Sequence, residues 1–358
     1  MKLGAEETGQ LFEYKVFRDL GKNAAVPKGY QQIKLRIVFD VKQSLKRKAR
    51  IVARGDMTDP PREAVYSGVA SLWSLRIVCL LAELNGLKLT GGDVGNAYLE
   101  VYTTEKVCVR AGPEFGPLEG HLLVIEKALY GLRTSGARFH AKFADTLRAM
   151  GFTSTYADPN VWIRDAGDVY EYVVVYVDDT LTALKDPDSF HKELQSDPWN
   201  YKLKNVEEPR FHLGGDFFRD KDGTLCYGAQ TYVKRLVETY KELFGEQPKE
   251  VHSPLDKDDK PELDESHLLG PDGIKRYQTL IGAVQWLITL SRFDVAHAIM
   301  SLGRFRAAPR EGHLEHLKRV IGYVRKRSHC AVRFRTGIPN YEEQFGDDPI
   351  KYDWMVTN

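Results

Sequence analysis

Asp178 and Asp179 are adjacent carboxylates within YEYVVVYVDDTLTAL (residues 170–184), one of the most strongly β-forming runs of the chain. Val173 to Val177 are strand formers and Leu181 to Leu184 can return beside them. Asp is depleted from strands, so the two aspartates belong at or next to a tight hairpin turn. Two carboxylates about 4 Å apart repel by roughly 1 kcal/mol in water and roughly 4 kcal/mol at an effective dielectric of 20. A solvated Asp-Asp turn tolerates that cost, which is one reading. The other is that a divalent cation offsets it, and that reading requires a further ligand elsewhere in the chain.

GGDVGNAYLE (residues 91–100) offers one. Gly91 and Gly92 let a backbone approach a ligand closely, and Asp93 follows a short strand-like segment that the two glycines interrupt. Should the fold bring Asp93 beside Asp178, three carboxylates converge from two strands. That set suits two Mg²⁺ ions, hard cations that take a few carboxylates together with substrate phosphates. Ions about 3.5–4 Å apart clamp the attacking and leaving oxygens of an in-line phosphoryl displacement.

The elements that would position these residues are legible in outline. IKLRIVFDVKQSLKRKARIVARG (33–55) has the pattern of a basic two-stranded hairpin. LWSLRIVCLLAELNG (72–86) has that of a helix closed by Asn85 and Gly86. In GARFHAKFADTLRAMG (136–151), Phe139, Phe143 and Leu147 form one apolar helical stripe. EPRFHLGGDFFRDKDGTLCYG predicts a second hairpin turning at Lys221-Asp222-Gly223. From Gln230 the pattern is mainly helical, broken by the acidic, proline-bearing linker 253–266. Residues 1–32 show no clean periodicity and suggest an arm or fragment edge.

The bulk composition narrows the classes. With 358 residues, 42% apolar and 28% charged, the chain can bury a sizeable core in two or three subdomains. It has no apolar run of membrane-spanning length, and its four cysteines lack any C-x-x-C spacing, so a reducing compartment is expected. A net charge of +1 argues against a uniformly basic coat protein. The basic stretches 33–55 and HLKRVIGYVRKR (316–327) are either solvated faces or contacts for a polyanion.

Asp93-Val-Gly-Asn-Ala-Tyr98 together with Tyr176-Val-Asp-Asp179 resembles the catalytic motif pair of reverse transcriptases. The wider pattern resembles the polymerase of copia-type retrotransposons: KARIVARG, SLRIVCLLAELNGLKLTGGDVGNAYLE, KALYGLRTSGARF, YVDD, FHLGGDFF, QWLITLSRFDVAHAIMSLGRF and HLKRVIGYV, in order from about residue 33 to about 335. The resemblance implies an α+β right-hand polymerase with fingers and an antiparallel palm over 33–205. A primer-grip hairpin, thumb helix and linker would follow over 206–266, a helical connection-like region over 267–335, and a tail over 336–358 leading towards an RNase H region.

It further implies RNA-directed DNA synthesis. Asp93 and Asp178 would bind both Mg²⁺ ions, with Mn²⁺ as a substitute and Asp179 as a weaker ligand. Lys48 or Arg50 would meet the triphosphate. Val94, Tyr176 and Thr134 would lie at the nucleotide, and Leu213, Gly214 and Gly215 would grip the primer terminus. Tyr98 matches the aromatic gate that excludes a 2′-hydroxyl, a role that competes with that of a buried strand aromatic. Partners would be an RNA or DNA template-primer and dNTPs, and no membrane. The location would be cytoplasmic, in a virus-like particle, or nuclear.

Two stretches depart from the family pattern. Thr134-Ser135-Gly136 replaces a usual Gln-Ala-Pro, and Arg292-Phe293-Asp294 replaces Arg-Pro-Asp. No RNase H motif follows residue 335, which suggests a fragment or truncated product. The rival readings are an RNA-copying nucleotidyltransferase, against which Tyr98 speaks, and a co-opted product that binds nucleic acid without catalysis.

Overall fold

The computed structural model describes residues 2–41, 47–257 and 260–337. Along the chain run α1 (Lys2–Glu13), β1 (Phe17–Asp19), β2 (Gln31–Ile33), β3 (Leu35–Val41), β4 (Arg47–Ala53), α2 (Leu72–Asn85) and β5 (Lys88–Val94). Next come β6 (Val107–Arg110), β7 (Leu122–Ile125), α3 (Ser135–Ala149), β8 (Thr153–Ser154), β9 (Val161–Asp165), β10 (Tyr170–Tyr176) and β11 (Asp179–Leu184). The remainder is α4 (Pro187–Gln195), β12 (Leu203–Glu207), β13 (Phe211–His212), β14 (Gly215–Arg219), β15 (Leu225–Gly228), α5 (Gln230–Phe244), α6 (Pro271–Leu290), α7 (Ala296–Gly303), α8 (Glu311–Lys326) and β16 (Ala331–Arg333). The chain divides into two compact units, Met1–Gly214 and Gly215–Asn358.

The first unit is built on a six-stranded sheet of order β12-β5-β11-β10-β9-β8. The valine-rich run 173–175 is buried in the middle of it, over a core that also takes Phe139, Phe143 and Leu147 from α3. Glycine closes α2 as the sequence predicts: Gly86 is left-handed, with φ 62°. A second sheet, β1-β7-β6-β2, and the β3–β4 hairpin share another core around Ile33, Ile51, Leu123 and Leu129. Among the described residues no helix is long and apolar enough to cross a membrane.

Two local expectations are corrected. The segment expected as an arm or fragment edge carries regular structure. The chain from Lys2 to Glu13 is helical, Leu11 and Val16 are buried, and β1 pairs with β7. Nor do Gly91 and Gly92 interrupt a strand: β5 runs through both and is bonded to β11 on one side and β12 on the other. A Cβ on Gly92 would come within 3.2 Å of the Thr180 hydroxyl, so the missing side chain is what lets three strands approach here.

In the second unit β14, β15 and β16 pair antiparallel, with the predicted 221–223 turn between the first two. Helices α5 to α8 supply the core around Tyr277, Leu280, Leu302 and Leu317. Arg292 is completely buried, and its guanidinium donates to both carboxylate oxygens of Asp294, at 3.0 and 2.8 Å. Phe293 between them is exposed, so a change from proline at that position touches neither partner. The predicted tail from residue 338 onward lies outside the described residues.

Gly131 and Gly86 are both left-handed but differ in surroundings. A Cβ on Gly131 would sit 2.1 Å from the Ala53 carbonyl oxygen, whereas one on Gly86 meets nothing within 4 Å. Gly131→Ala should therefore cost about 2–4 kcal/mol, conformation plus overpacking, and Gly86→Ala only about 1 kcal/mol. Urea unfolding of the two variants checks the difference, and equal losses would contradict it.

Candidate active site

Strand register brings the three aspartates together. Asp179 opens β11 directly opposite Asp93 at the end of β5, while Tyr176 pairs with Asp179 across the β10–β11 turn. Directly opposed residues of an antiparallel pair share a face, with Cβ atoms about 5 Å apart. Adjacent strand residues would face opposite sides, so Asp178 reaches the same point only by lying in the two-residue turn. That turn is made possible by Val177 at φ 60°, a conformation costly for a β-branched residue. The Asp178 carbonyl is then tied to β5 by the Val94 N–H at 2.8 Å. One carboxylate oxygen from each of Asp93, Asp178 and Asp179 lies within 4.8 Å of the others, all three side chains being half-buried.

An all-oxygen, triply anionic donor set is the chemistry of a hard divalent cation, and these residues fit one. A cleft of about 270 Å³ opens on Asp93 and Asp179, floored by Gly91 and Gly92 and walled by residues 205–212. Lys204 on β12 is the cross-strand neighbour of Asp93. His212, buried in the cleft wall, is pushed down to about 4 by desolvation and is neutral at pH 7.

Tyr98 lies in a 3₁₀ turn at Ala97–Glu100, entered through left-handed Asn96. Its ring packs against Tyr130 and Phe139, and its phenol is raised by burial and then by the charge of Asp178. Tyr130, which the sequence reading passed over, responds to the same carboxylates. It is pushed up to about 12 by burial first and by Asp178 next, while Arg50 acts in the opposite direction. The guanidinium of Arg50 stacks 5.5 Å from the Tyr130 centroid, and its buried Nε has no hydrogen-bond partner among the described residues. The Lys48 side chain lies outside the described residues.

Two residues expected at the nucleotide are engaged within the fold. Val94 is 1% exposed and belongs to the core, its N–H already engaged by Asp178. Thr134 is 0% exposed, and both its N–H and hydroxyl donate to Glu105 Oε1, at 2.9 and 2.8 Å. Tyr176 ends β10 beside the aspartates, half-buried. Leu213 and Gly214 follow the cleft wall as consecutive left-handed residues (φ 48° and 88°), the backbone pattern of a type I′ turn. Gly215 has no room for a Cβ, which would meet the Tyr227 ring at 2.1 Å.

The basic run on α8 is largely engaged within the second unit. Lys318 pairs with Glu315 and Arg319 with Asp256, Arg325 with Glu250 and the Pro248 carbonyl, and Lys326 with His252. These contacts give the helix cations a structural use that their spacing did not reveal.

The family model described as reverse transcriptase (RNA-dependent DNA polymerase) matches residues 19–252. The chain is 29% identical over 282 residues to the retrovirus-related Pol polyprotein from transposon RE1 of Arabidopsis thaliana, covering 77% of this chain and 19% of that protein. It is 25% identical over 324 residues to the corresponding polyprotein from transposon TNT 1-94 of Nicotiana tabacum, covering 85% and 24%. It thus spans only about a fifth to a quarter of these relatives. Among solved structures, that of the foamy viral protease-reverse transcriptase in complex with double-stranded DNA aligns at a TM-score of 0.50 and 15% identity, over 91% of this chain and 48% of that one. At that identity the likeness is one of fold.

Two measurements follow from the site. In chelator, Asp178→Asn should unfold at higher urea than wild type, by about 1 kcal/mol, because one repulsion is removed. Added Mg²⁺ should stabilise wild type and have a smaller effect on the variant; equal responses would contradict a cation site. His212 gives the second. Its stabilising contribution is complete above its unfolded value near 6.5 and is lost as pH falls towards 4. Stability should therefore drop by up to about 3 kcal/mol across that window, and His212→Gln should flatten the profile.

Proposed function

Because this chain belongs to the reverse transcriptase (RNA-dependent DNA polymerase) family, we propose that it copies RNA into DNA as the polymerase portion of a copia-type retrotransposon. The observation that carries the reading is the convergence of Asp93, Asp178 and Asp179 beside an open cleft. In this reading the six-stranded sheet is the palm and the β3–β4 hairpin belongs to the fingers. The turn at Leu213, Gly214 and Gly215 grips the primer, and α5 begins the thumb.

The reaction is attack of a primer 3′-hydroxyl on the α-phosphate of a dNTP, with pyrophosphate leaving. Bound at the three aspartates, Mg²⁺ would supply Lewis-acid neutralisation of the phosphate charge. The protein's own contribution is positional. Asp93 and Asp179 are fixed by strand pairing, and Asp178 by its turn, so the charges need no reorganisation when substrate arrives. Arg50, whose buried Nε has no partner among the described residues, offers a charge-assisted donor to the triphosphate. The Tyr98 ring lies under the sugar and excludes a 2′-hydroxyl, which makes dNTPs the substrates. A template-primer duplex is the expected partner, and the fold relative bound to double-stranded DNA supports that choice.

Primer extension on an RNA template with dNTPs and Mg²⁺ tests this directly. Wild type should extend, and Asp178→Asn should be slower by at least about 10²-fold. Equal rates would sink the proposal. Salt-sensitive template binding with no extension by either protein would favour the co-opted, non-catalytic reading instead.

A further inference from the structure

Tyr130 stands between the two side chains on which nucleotide selection would depend. Its ring centroid is 4.9 Å from that of Tyr98, the planes inclined at 60°, and the Arg50 guanidinium carbon is 5.5 Å from the Tyr130 centroid. Tyr98 leans edge-on against Phe139 at 6.4 Å, and Phe139 is buried on α3. Gly136 leaves the hydroxyl end of Tyr98 lightly covered, since even an added Cβ there would come only to 3.9 Å. Tyr130 and Phe139 therefore decide where the Tyr98 ring lies.

The backbone of Tyr130 is held by the base of the hairpin that carries Arg50. The Ala53 N–H donates to the Tyr130 carbonyl at 2.7 Å. Gly131 is pressed against the Ala53 carbonyl, and Arg133 donates from Nε to the Gly55 carbonyl at 2.8 Å. Arg50 and Ala53 lie on the same strand, β4. A displacement of that strand passes to Tyr130 through contacts too close to absorb it.

We propose that Tyr130 is a positioning residue for sugar selection: it wedges the Tyr98 ring against Phe139 and couples that ring to Arg50, so that a nucleotide seated on Arg50 meets a fixed gate. The inference rests on the polymerase reading above and concerns this chain's choice between deoxyribo- and ribonucleotides. A ring that only fills space would carry no such selectivity.

The test is the ratio of kcat/KM for a dNTP over the matching rNTP, on an RNA template with a DNA primer and Mg²⁺. Wild type is compared with Tyr130→Ala, Tyr130→Leu, Tyr130→Phe, Tyr98→Ala and the Tyr98→Ala/Tyr130→Ala double variant, each first shown to be folded by thermal melting. Tyr130→Ala and Tyr130→Leu should lower the ratio by about 3- to 10-fold, the factor an aromatic pair supports. Tyr130→Phe should keep the wild-type ratio, and the double variant should select no worse than Tyr98→Ala alone. The leucine variant decides the matter should the alanine variant fail to fold. Equal losses for dNTP and rNTP, an unchanged ratio, or multiplying effects in the double variant would each overturn the inference while leaving the polymerase intact. A wild type that extends no primer would overturn the proposed function, and this inference with it.

Discussion

Three negative charges at one point are the constraint around which the first unit is arranged. Left to themselves, the carboxylates of Asp93, Asp178 and Asp179 would separate. The register of β5 against β11 prevents it for two of them, and the left-handed Val177 turn prevents it for the third. Both devices depend on what lies beneath. The buried valines of β10 and the aromatic face of α3 anchor the sheet, so that its edge can carry a repulsion that a loop would relax. Val177 is left-handed and Gly92 has little room for a side chain, so local stability is given up for geometry at this point.

Much of this was legible before any coordinates. The strand–turn–strand run of 170–184, the glycine stop after α2, the apolar stripe of α3 and the basic hairpin all emerged as the sequence indicates. Each is a local signal in which side-chain type and backbone preference agree. The failures have a common cause. Strand propensity reports how side chains pack on a pleated surface, so a strand whose middle is Gly91-Gly92 looks broken until Thr180 and Val206 are seen crowding it. The burial of Thr134 depends on Glu105, and the role of Tyr130 on Arg50 and Tyr98. None of those pairings leaves a trace in sequence spacing. On α8, two of the acidic partners, Asp256 and Glu250, likewise lie far away along the chain.

The two departures from the family pattern fall at positions that the fold treats differently. Phe293 is exposed between a buried arginine and the aspartate to which that arginine donates. Thr134 is enclosed, and replacing an amide by a short hydroxyl there is matched by a carboxylate acceptor in Glu105. The first change leaves its ion pair intact. The second commits the Thr134 hydroxyl to Glu105.

The Val94 N–H bond to the Asp178 carbonyl gives the site an uneven mechanical character. Asp93 and Asp179 ride on β5 and β11, each a strand bonded to neighbours on both sides. Asp178 is held to β5 through a turn and this one backbone bond. Local opening can therefore release one carboxylate while the other two stay fixed. The amide proton of Val94 is a natural gauge of that opening: its exchange rate counts how often the site comes apart without the sheet unfolding.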